Sequence, residues 1–385
     1  MVIWADGSPS PTTPEGHTES GELQLGILIF DRYKYPRNSL EMAPSASFID
    51  VEPPVVIGPS TKKATRPSNQ LPQSLIQGAK VAKKQNFDPA KHMNFQPPKS
   101  IYTMKQIGLE GHGISPNAAT EPFPLFTQEA IAQMRAEIFD EKVLAECQYS
   151  STFNKNMVRG MGAARAPFTY DAWKSPEVLA RISEVAGIEL VPSIDFEIAN
   201  INISIRDENA VEQIVPVVSD EDLPAVSWHY DSFPFVCVTM LSDCTGMVGG
   251  ETALRTPSGE IMKVRGPAMG TAVVMQGRYI EHQALKALGG RERISMVTCF
   301  RPKSPLVKDE TVLVGVRGIS EISELYTQYT EYRLEILEER IRHQLKKVRE
   351  GGIAKKRFNV PEIQSFLGKQ KLFLESMIKE IEEVE

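Results

Sequence analysis

Hydrophobic and polar or small residues alternate along residues 196–205, which read Phe-Glu-Ile-Ala-Asn-Ile-Asn-Ile-Ser-Ile. A period of two places successive side chains on opposite faces of an extended chain, as in a half-buried strand. Seven further β-prone runs follow, most of them separated by short turns with Gly or Pro: 225–230, 235–241, 251–255, 260–264, 271–275, 279–283 and 294–300. Eight short strands at this spacing predict a sandwich or jelly roll rather than alternating strands and helices.

Apolar residues change to helical spacing before this β region. Thr127 can cap a helix that runs to about residue 147. Ser175-Pro176 can begin a shorter helix, which Gly187 would end. The pattern therefore predicts helices within residues 127–187.

Helical spacing returns after the β region. A stripe of apolar residues along 320–350 predicts a long helix ended by Gly351-Gly352, and Pro361 can begin another. Such helices must bury their apolar faces against the N-terminal helices, the outer face of the sheet or a second subunit. A homodimer formed through these helices is one expected outcome.

Proline marks the N-terminal part of the chain as different. Sixteen of the 27 prolines precede residue 125, which excludes a compact regular domain there. We therefore expect a Pro-rich, partly irregular extension at 1–100, a domain at 101–305 and a C-terminal helical extension at 319–385. The fold class is α+β, with helices packed around a β core.

Composition adds little to this picture, but it excludes some partners. The 385 residues carry a net charge of -6, which gives no general reason to expect nucleic acid or an anionic membrane as a partner. The four cysteines have neither the spacing of a structural zinc site nor the density of a disulfide scaffold. No apolar run approaches a membrane span, and the N-terminus lacks the pattern of a secretory signal. We expect a cytoplasmic protein with a small-molecule substrate.

Two histidines and a carboxylate in the β region are candidate metal ligands. His229 and Asp231 are two residues apart in a predicted strand, so both side chains project from one face. His282 lies in another predicted strand and would add a second imidazole. Two nitrogens and one carboxylate oxygen leave coordination positions open, as in non-haem Fe(II) oxygenases, whereas a structural zinc needs four protein ligands. A pair of core histidines that bind no metal is the alternative.

Arg293 and Ser295 share a strand face shortly after the second histidine. A guanidinium pairs with a carboxylate through two parallel hydrogen bonds, and a nearby hydroxyl can add another. If both project toward the metal, they form a receptor for the far carboxylate of a dicarboxylic acid. The sequence therefore predicts a metal and a dicarboxylate in one site.

Taken together, these motifs resemble the Fe(II)/2-oxoglutarate-dependent dioxygenase superfamily over about residues 196–301. More loosely, residues 123–126 and the segment from Trp228 through 250–252 to Arg278 resemble uncharacterised fungal members. The resemblance implies a double-stranded β-helix, that is, a cupin-like jelly roll, at 196–301 within a dioxygenase domain.

The resemblance also implies roles for particular residues. His229, Asp231 and His282 would hold Fe(II), and Arg293 with Ser295 would hold the 5-carboxylate of 2-oxoglutarate. Dioxygen would be the other co-substrate, and succinate and CO2 would be released. The substrate would be a small organic molecule, such as an amino acid or a secondary metabolite, that is hydroxylated, desaturated or cyclised. Halogenation is disfavoured because halogenating relatives carry a small residue where Asp231 stands.

Two other functions fit the same sequence. A cupin-type metalloenzyme would keep the barrel and the metal without using 2-oxoglutarate. A non-catalytic scaffold would keep only the barrel and bind a partner through the C-terminal helices. Binding of 2-oxoglutarate that depends on Arg293 would distinguish the oxygenase from the cupin-type metalloenzyme. Turnover that depends on a metal would distinguish either enzyme from the scaffold.

Overall fold

The computed structural model describes residues 51–59, 65–67, 70–152, 154–205, 224–264, 268–285, 287–288 and 292–383. All of these residues lie within one compact unit, Ala46–Glu385. Half of the predicted N-terminal extension, residues 1–50, lies outside the described part. The described chain is a mixture of helices and antiparallel sheet.

The strands lie in chain order from residue 101 onwards. They are β1 (Ile101–Thr103), β2 (Asn117–Thr120), β3 (Phe123–Pro124), β4 (Gln148–Tyr149), β5 (Met157–Val158), β6 (Leu190–Pro192), β7 (Asn200–Ile205), β8 (Pro224–His229), β9 (Phe235–Met240), β10 (Val248–Gly249), β11 (Thr252–Arg255), β12 (Ile261–Val264), β13 (Thr271–Met275), β14 (Glu281–Leu285), β15 (Ala287–Leu288) and β16 (Glu292–Pro302).

Two main sheets are built from these strands. The larger has the order β1-β2-β13-β9-β16-β7-β5-β4, with β3 against β13 and β6 against β16. The smaller has the order β12-β11-β14-β8, and β10 pairs with β15 alone. From β7 onwards the chain alternates between the main sheets: β7, β9, β13 and β16 belong to the larger, and β8, β11, β12 and β14 to the smaller.

Each of the eight predicted strands has a counterpart, and the bounds differ for all of them except β13, which matches the prediction. The first begins at Asn200 rather than at residue 196, because a 3-10 turn occupies Asp195–Glu197 and Ala199 adopts a φ of 57°. The positive φ of Ala199 is incompatible with an extended strand, so the strand cannot continue back through this residue to the start of the alternating pattern. The strands within residues 117–192 were not predicted, since they are only two to four residues long and too short to show a period.

The helices lie mainly on either side of this β region. They are α1 (Gln73–Gly78), α2 (Pro89–His92), α3 (Gln128–Ile138), α4 (Glu141–Cys147), α5 (Pro167–Lys174), α6 (Pro176–Ala186), α7 (Val314–Arg317), α8 (Ile322–Ile353) and α9 (Val360–Glu380). No helix of the described residues is both long and apolar enough to cross a membrane.

Two helix predictions need correction. The helix predicted from Thr127 to about residue 147 is divided into α3 and α4, because Asp140 accepts a hydrogen bond from the Lys142 amide and caps a new helix. The glycines at 351 and 352 do not end α8, which continues to Ile353. Glycine lowers helix stability without forbidding the helical conformation.

The C-terminal helices pack against the body of the protein through buried polar contacts. Arg333 of α8 is fully buried, lies 3.8 Å from the Asp309 carboxylate and donates to the Asp309 carbonyl at 3.0 Å. Near the end of α9, the Glu380 carboxylate accepts a hydrogen bond from the Leu313 amide at 2.6 Å, and Arg317 donates to the Glu380 carbonyl at 2.7 Å. The two helices therefore hold the segment from Asp309 to Arg317, which includes α7. Homodimerisation through them stays a prediction.

Replacing Arg333 by methionine should lower the free energy of unfolding by about 3 kcal/mol, because Asp309 would keep a buried negative charge without its cation. Chemical denaturation measures the effect. Arg342→Met is the matched control: Arg342 is exposed and pairs with Glu338 one turn away, so its loss should cost about 0.5 kcal/mol or less. Equal effects for the two variants would contradict this interpretation.

Candidate metal centre

Sheet register brings the three predicted ligands together. His229 is the last residue of β8, Asp231 follows two residues later, and His282 lies in the neighbouring strand β14. The antiparallel register pairs His282 directly with His229, and their ring centroids are 4.3 Å apart. Directly opposed residues on neighbouring strands have their side chains on the same face.

Asp231 completes the set from the loop after β8. Its amide donates to the Gly277 carbonyl at 2.9 Å, which fixes the backbone where the chain leaves the strand. Its Oδ1 lies 3.6 Å from His229 Nε2, and its Oδ2 lies 3.5 Å from His282 Nε2. One ligand atom from each residue can be chosen so that all three lie within 4.8 Å of one another. This spacing suits a single ion held by all three groups.

Backbone carbonyls orient both imidazoles. His229 Nδ1 lies 2.7 Å from the Ser227 carbonyl, and His282 Nδ1 lies 2.9 Å from the Ile280 carbonyl. Because a carbonyl only accepts, each Nδ1 must carry the proton, and each neutral ring keeps its lone pair on Nε2. Hydrogen bonds of this kind orient metal-binding histidines in proteins. Both Nε2 atoms face the Asp231 carboxylate.

Asp231 Oδ2 is a buried atom with no hydrogen-bond partner among the described residues. A buried carboxylate oxygen is costly unless a donor or a cation compensates it. A divalent cation bound to both Nε2 atoms would supply that compensation. The donor set and the uncompensated oxygen therefore fit a metal ion.

Electrostatics distinguish the three groups. Burial works to raise the pKa of Asp231, but the two histidines and Arg278 outweigh it and hold that pKa below its ordinary value. Burial works to lower the pKa of His229, yet the hydrogen bond and charge of Asp231 raise it overall. Burial, with a contribution from His229, lowers the pKa of His282 to about 4 in spite of Asp231. At neutral pH the site thus offers an ionised carboxylate and a neutral His282.

Metal binding should depend on pH mainly through His229. Its proton must leave before Nε2 can bind a metal, and its pKa lies above the ordinary 6.5, so Co(II) affinity should fall about tenfold per pH unit below that pKa. His282 adds no proton competition until the pH approaches 4. Calorimetry of the metal-free protein in buffers of different ionisation enthalpy should record one proton released per Co(II) at about pH 6. Release of two protons there would contradict this assignment.

Gly277 leaves space that Asp231 occupies. A Cβ built on Gly277 would lie 1.8 Å from Asp231 Oδ2, far inside van der Waals contact. Sequence reasoning missed this residue, because its importance comes from a carboxylate 46 positions earlier in the chain. A glycine between two β segments carries no local signal of that contact.

Arg293 and Ser295 lie on β16, and both are buried. Arg293 Nη1 donates to Ser295 Oγ at 3.4 Å and Nη2 to the Gly250 carbonyl at 3.3 Å, while Nε has no hydrogen-bond partner. Burial lowers the pKa of Arg293, and no carboxylate of the described residues pairs with it. A buried cation without a counter-ion is a receptor for an anion.

One cavity of about 200 Å³ connects these features. Its described lining includes the three metal-ligand candidates together with Arg293 and Ser295. Alternate residues of β7, β9 and β16 line its wall from the larger sheet, as the period of two requires. Residues of α7, which the C-terminal helices hold, also contribute to the lining. The structure therefore places all five predicted site residues around one space.

Several solved structures are similar to parts of this chain. An oxidoreductase of the 2OG-Fe(II) oxygenase family from Burkholderia pseudomallei is 16% identical, with 38% of this chain and 65% of that chain covered and a TM-score of 0.28. A prolyl-4-hydroxylase from Pseudomonas putida is 17% identical, with coverages of 46% and 88% and a TM-score of 0.31. The epimerase SnoN, solved with Fe3+, alpha ketoglutarate and nogalamycin RO, is 14% identical, with coverages of 46% and 75% and a TM-score of 0.33.

No protein-family model and no curated protein matches the sequence. At such low TM-scores the structural likenesses do not decide the function, which must be argued from the site itself. The resemblance to fungal members stays a prediction.

Proposed function

We propose that this protein is a non-haem Fe(II)- and 2-oxoglutarate-dependent oxygenase that oxidises a small organic substrate. The observation that carries the proposal is a two-histidine, one-carboxylate set in the same cavity as a buried, unpaired guanidinium. A metal with open positions can bind a chelating co-substrate, and the guanidinium can bind the far carboxylate of that molecule. Neither feature alone requires a dicarboxylic co-substrate.

The proposed core fold is a double-stranded β-helix. Support comes from the alternation of β7, β8, β9, β11–β12, β13, β14 and β16 between two antiparallel sheets. In such a fold the inner faces of both sheets line a common interior. That arrangement would bring His282 of the smaller sheet and Arg293 of the larger sheet to one space.

Each site residue has a role in this proposal. His229, Asp231 and His282 would hold Fe(II), with both imidazoles oriented through Nδ1 by backbone carbonyls. Arg293 and Ser295 would hold the 5-carboxylate of 2-oxoglutarate. The other end of the co-substrate would then point toward the metal ligands. When bound, iron would supply the activation of dioxygen that couples conversion of 2-oxoglutarate to succinate and CO2 with substrate oxidation.

Hydroxylation, desaturation and ring closure all remain compatible with this site. Asp231 occupies the coordination position that a halide would need, which argues against halogenation. The cupin-type alternative gives no reason for a buried guanidinium without a counter-ion beside the metal ligands. The scaffold alternative likewise gives no reason for the uncompensated oxygen of Asp231.

Anaerobic titration with Fe(II) and 2-oxoglutarate tests the proposal. We expect a weak visible charge-transfer band from the chelate, and succinate once air is admitted. Asp231→Asn should weaken both signals, whereas Asp243→Asn, a change in an exposed loop outside the cavity lining, should leave them unchanged. If the wild-type protein gives neither the band nor succinate, the proposed function is wrong.

A further inference from the structure

Two buried arginines line the cavity, and they differ in their partners. Arg293 has no carboxylate partner, whereas Arg159 Nη2 lies 2.5 Å from Glu197 Oε1. The positive charge of Arg159 is therefore compensated within the protein. Among the described residues that line the cavity, only Arg293 offers a free positive charge to an anion.

The ion pair belongs to a small buried cluster. Glu197 Oε2 accepts hydrogen bonds from Asn200 Nδ2 at 2.5 Å and from Cys299 Sγ at 3.6 Å. Two atoms of this cluster have no hydrogen-bond partner among the described residues: the donor Arg159 Nε and the acceptor Asn200 Oδ1. Both side chains are at least nine-tenths buried and line the cavity. Arg159, Glu197, Asn200 and Cys299 are named here the neutral polar cluster.

The described wall residues beside the neutral polar cluster are also uncharged. They include Asn154 and Asn202, whose side chains form a 2.9 Å hydrogen bond, together with Ser151 and Ser204. Among the described lining residues, Arg293 is the one charged group outside the metal set that has no charged partner. This part of the cavity offers hydrogen bonds without a net charge.

The neutral polar cluster and Arg293 lie in different parts of the cavity. Cys299 and Arg293 are six residues apart on the same face of β16, roughly 20 Å along an extended strand. Cys299 nevertheless lines the same cavity as the three metal-ligand candidates, so a molecule bound at the cluster shares one space with them. If 2-oxoglutarate occupies the Arg293 end, the cluster end is left for the substrate.

We propose that the neutral polar cluster binds the substrate through an uncharged group with both a hydrogen-bond donor and an acceptor, such as a primary amide or a hydroxyl. The acceptor would face Arg159 Nε, and the donor would face Asn200 Oδ1. That this molecule is then oxidised rests on the proposed function. A free amino acid fits poorly, because its carboxylate and its ammonium would each lack a free counter-charge among the described residues of this part of the cavity. The substrate class narrows to neutral amides and alcohols.

Two probes of equal size and different charge test the inference: acetamide and acetate. The protein used is the metal-free full chain carrying Arg293→Leu, because the unpaired guanidinium of Arg293 would itself bind acetate. Saturation-transfer difference NMR measures the binding of each probe. We expect acetamide to bind and acetate to bind about tenfold more weakly, because Glu197 repels it. Adding Asn200→Leu should remove most of the acetamide signal.

Glu197→Gln on the same background is the converse variant. It keeps the shape of the side chain but frees the charge of Arg159, so acetate should then bind at least as well as acetamide. Circular dichroism establishes that each variant is folded. If the Arg293→Leu protein does not fold, wild-type protein saturated with glutarate replaces it. If the Glu197→Gln protein does not fold, the Asn200→Leu comparison decides.

Three results would overturn the inference: no acetamide signal, acetate binding as strong as acetamide binding while Glu197 is present, or acetamide binding unaffected by Asn200→Leu. These spectra involve no iron, 2-oxoglutarate or dioxygen. A protein that prefers acetamide but forms no iron chelate would refute the proposed function alone. A protein that releases succinate but prefers acetate would refute this inference alone.

Discussion

Gly277→Ala should reduce metal affinity by about 100-fold or more while leaving the protein folded. The new Cβ would lie 1.8 Å from Asp231 Oδ2, so the carboxylate must turn away from the two imidazoles. Gly277 does not have a positive φ, so the effect comes from the clash and not from backbone strain. Calorimetric titration of the metal-free variant with Co(II), compared with wild type, measures it.

Gly368→Ala is the matched control. Gly368 lies inside α9, and a Cβ there would meet nothing within 4 Å. Alanine is favoured over glycine in a helix by about 1 kcal/mol, so this variant should be slightly more stable and bind metal as wild type does. Wild-type metal affinity in Gly277→Ala would show that Asp231 is not a ligand in the position described.

Arg293→Leu should weaken 2-oxoglutarate binding by about 100-fold or more, because it removes charge-assisted hydrogen bonds to the 5-carboxylate. Arg293→Lys should recover little of the loss, since an ammonium cannot reproduce the paired donors of a guanidinium. Metal affinity should change little, because Arg293 makes no contact with the metal ligands among its described hydrogen bonds. Calorimetry of the Zn(II)-loaded protein with 2-oxoglutarate separates the two effects.

Arg181→Leu controls for the loss of an arginine as such, because Arg181 is an exposed residue of α6 that pairs with Glu184. It should bind 2-oxoglutarate as wild type does. If Arg293→Leu also binds normally, the anion receptor lies elsewhere, and the cupin-type alternative gains support.

The sequence predicted those parts of the site that depend on local periodicity. Arg293 and Ser295 could be assigned to one face because they are two residues apart in one strand. The same reasoning was applied to His229 and Asp231, but its premise was wrong: β8 ends at His229, and Asp231 reaches the site from the loop that follows. The register that pairs His282 with His229 could not be derived, since it depends on hydrogen bonds between distant strands. The residue types and the resemblance to a known family suggested that these motifs form one site, but neither supplied the strand pairing that brings them together.

The neutral polar cluster was outside the reach of sequence reasoning for a similar reason. Asn200 lies within the alternating run at 196–205, but Arg159 and Glu197 are 38 positions apart and follow no motif. Their meeting depends on β5 lying beside β7 in the larger sheet. Glu197 also falls in the 3-10 turn where a strand was predicted. Long-range sheet order, rather than local pattern, decides which buried charges compensate each other.

The hydrogen bonds from Leu313 and Arg317 to Glu380 have a practical consequence for anyone who shortens the protein. Glu380 is the last residue of α9, while the segment it holds contributes Gly315 and Val316 to the cavity. A chain that ends before Glu380 would lose the hydrogen bonds that hold this part of the cavity lining, as well as the end of α9. Loss of turnover after such a deletion would therefore not show that α8 and α9 have a function of their own. Substitutions at exposed positions of α8 and α9 test more directly whether these helices bind a partner.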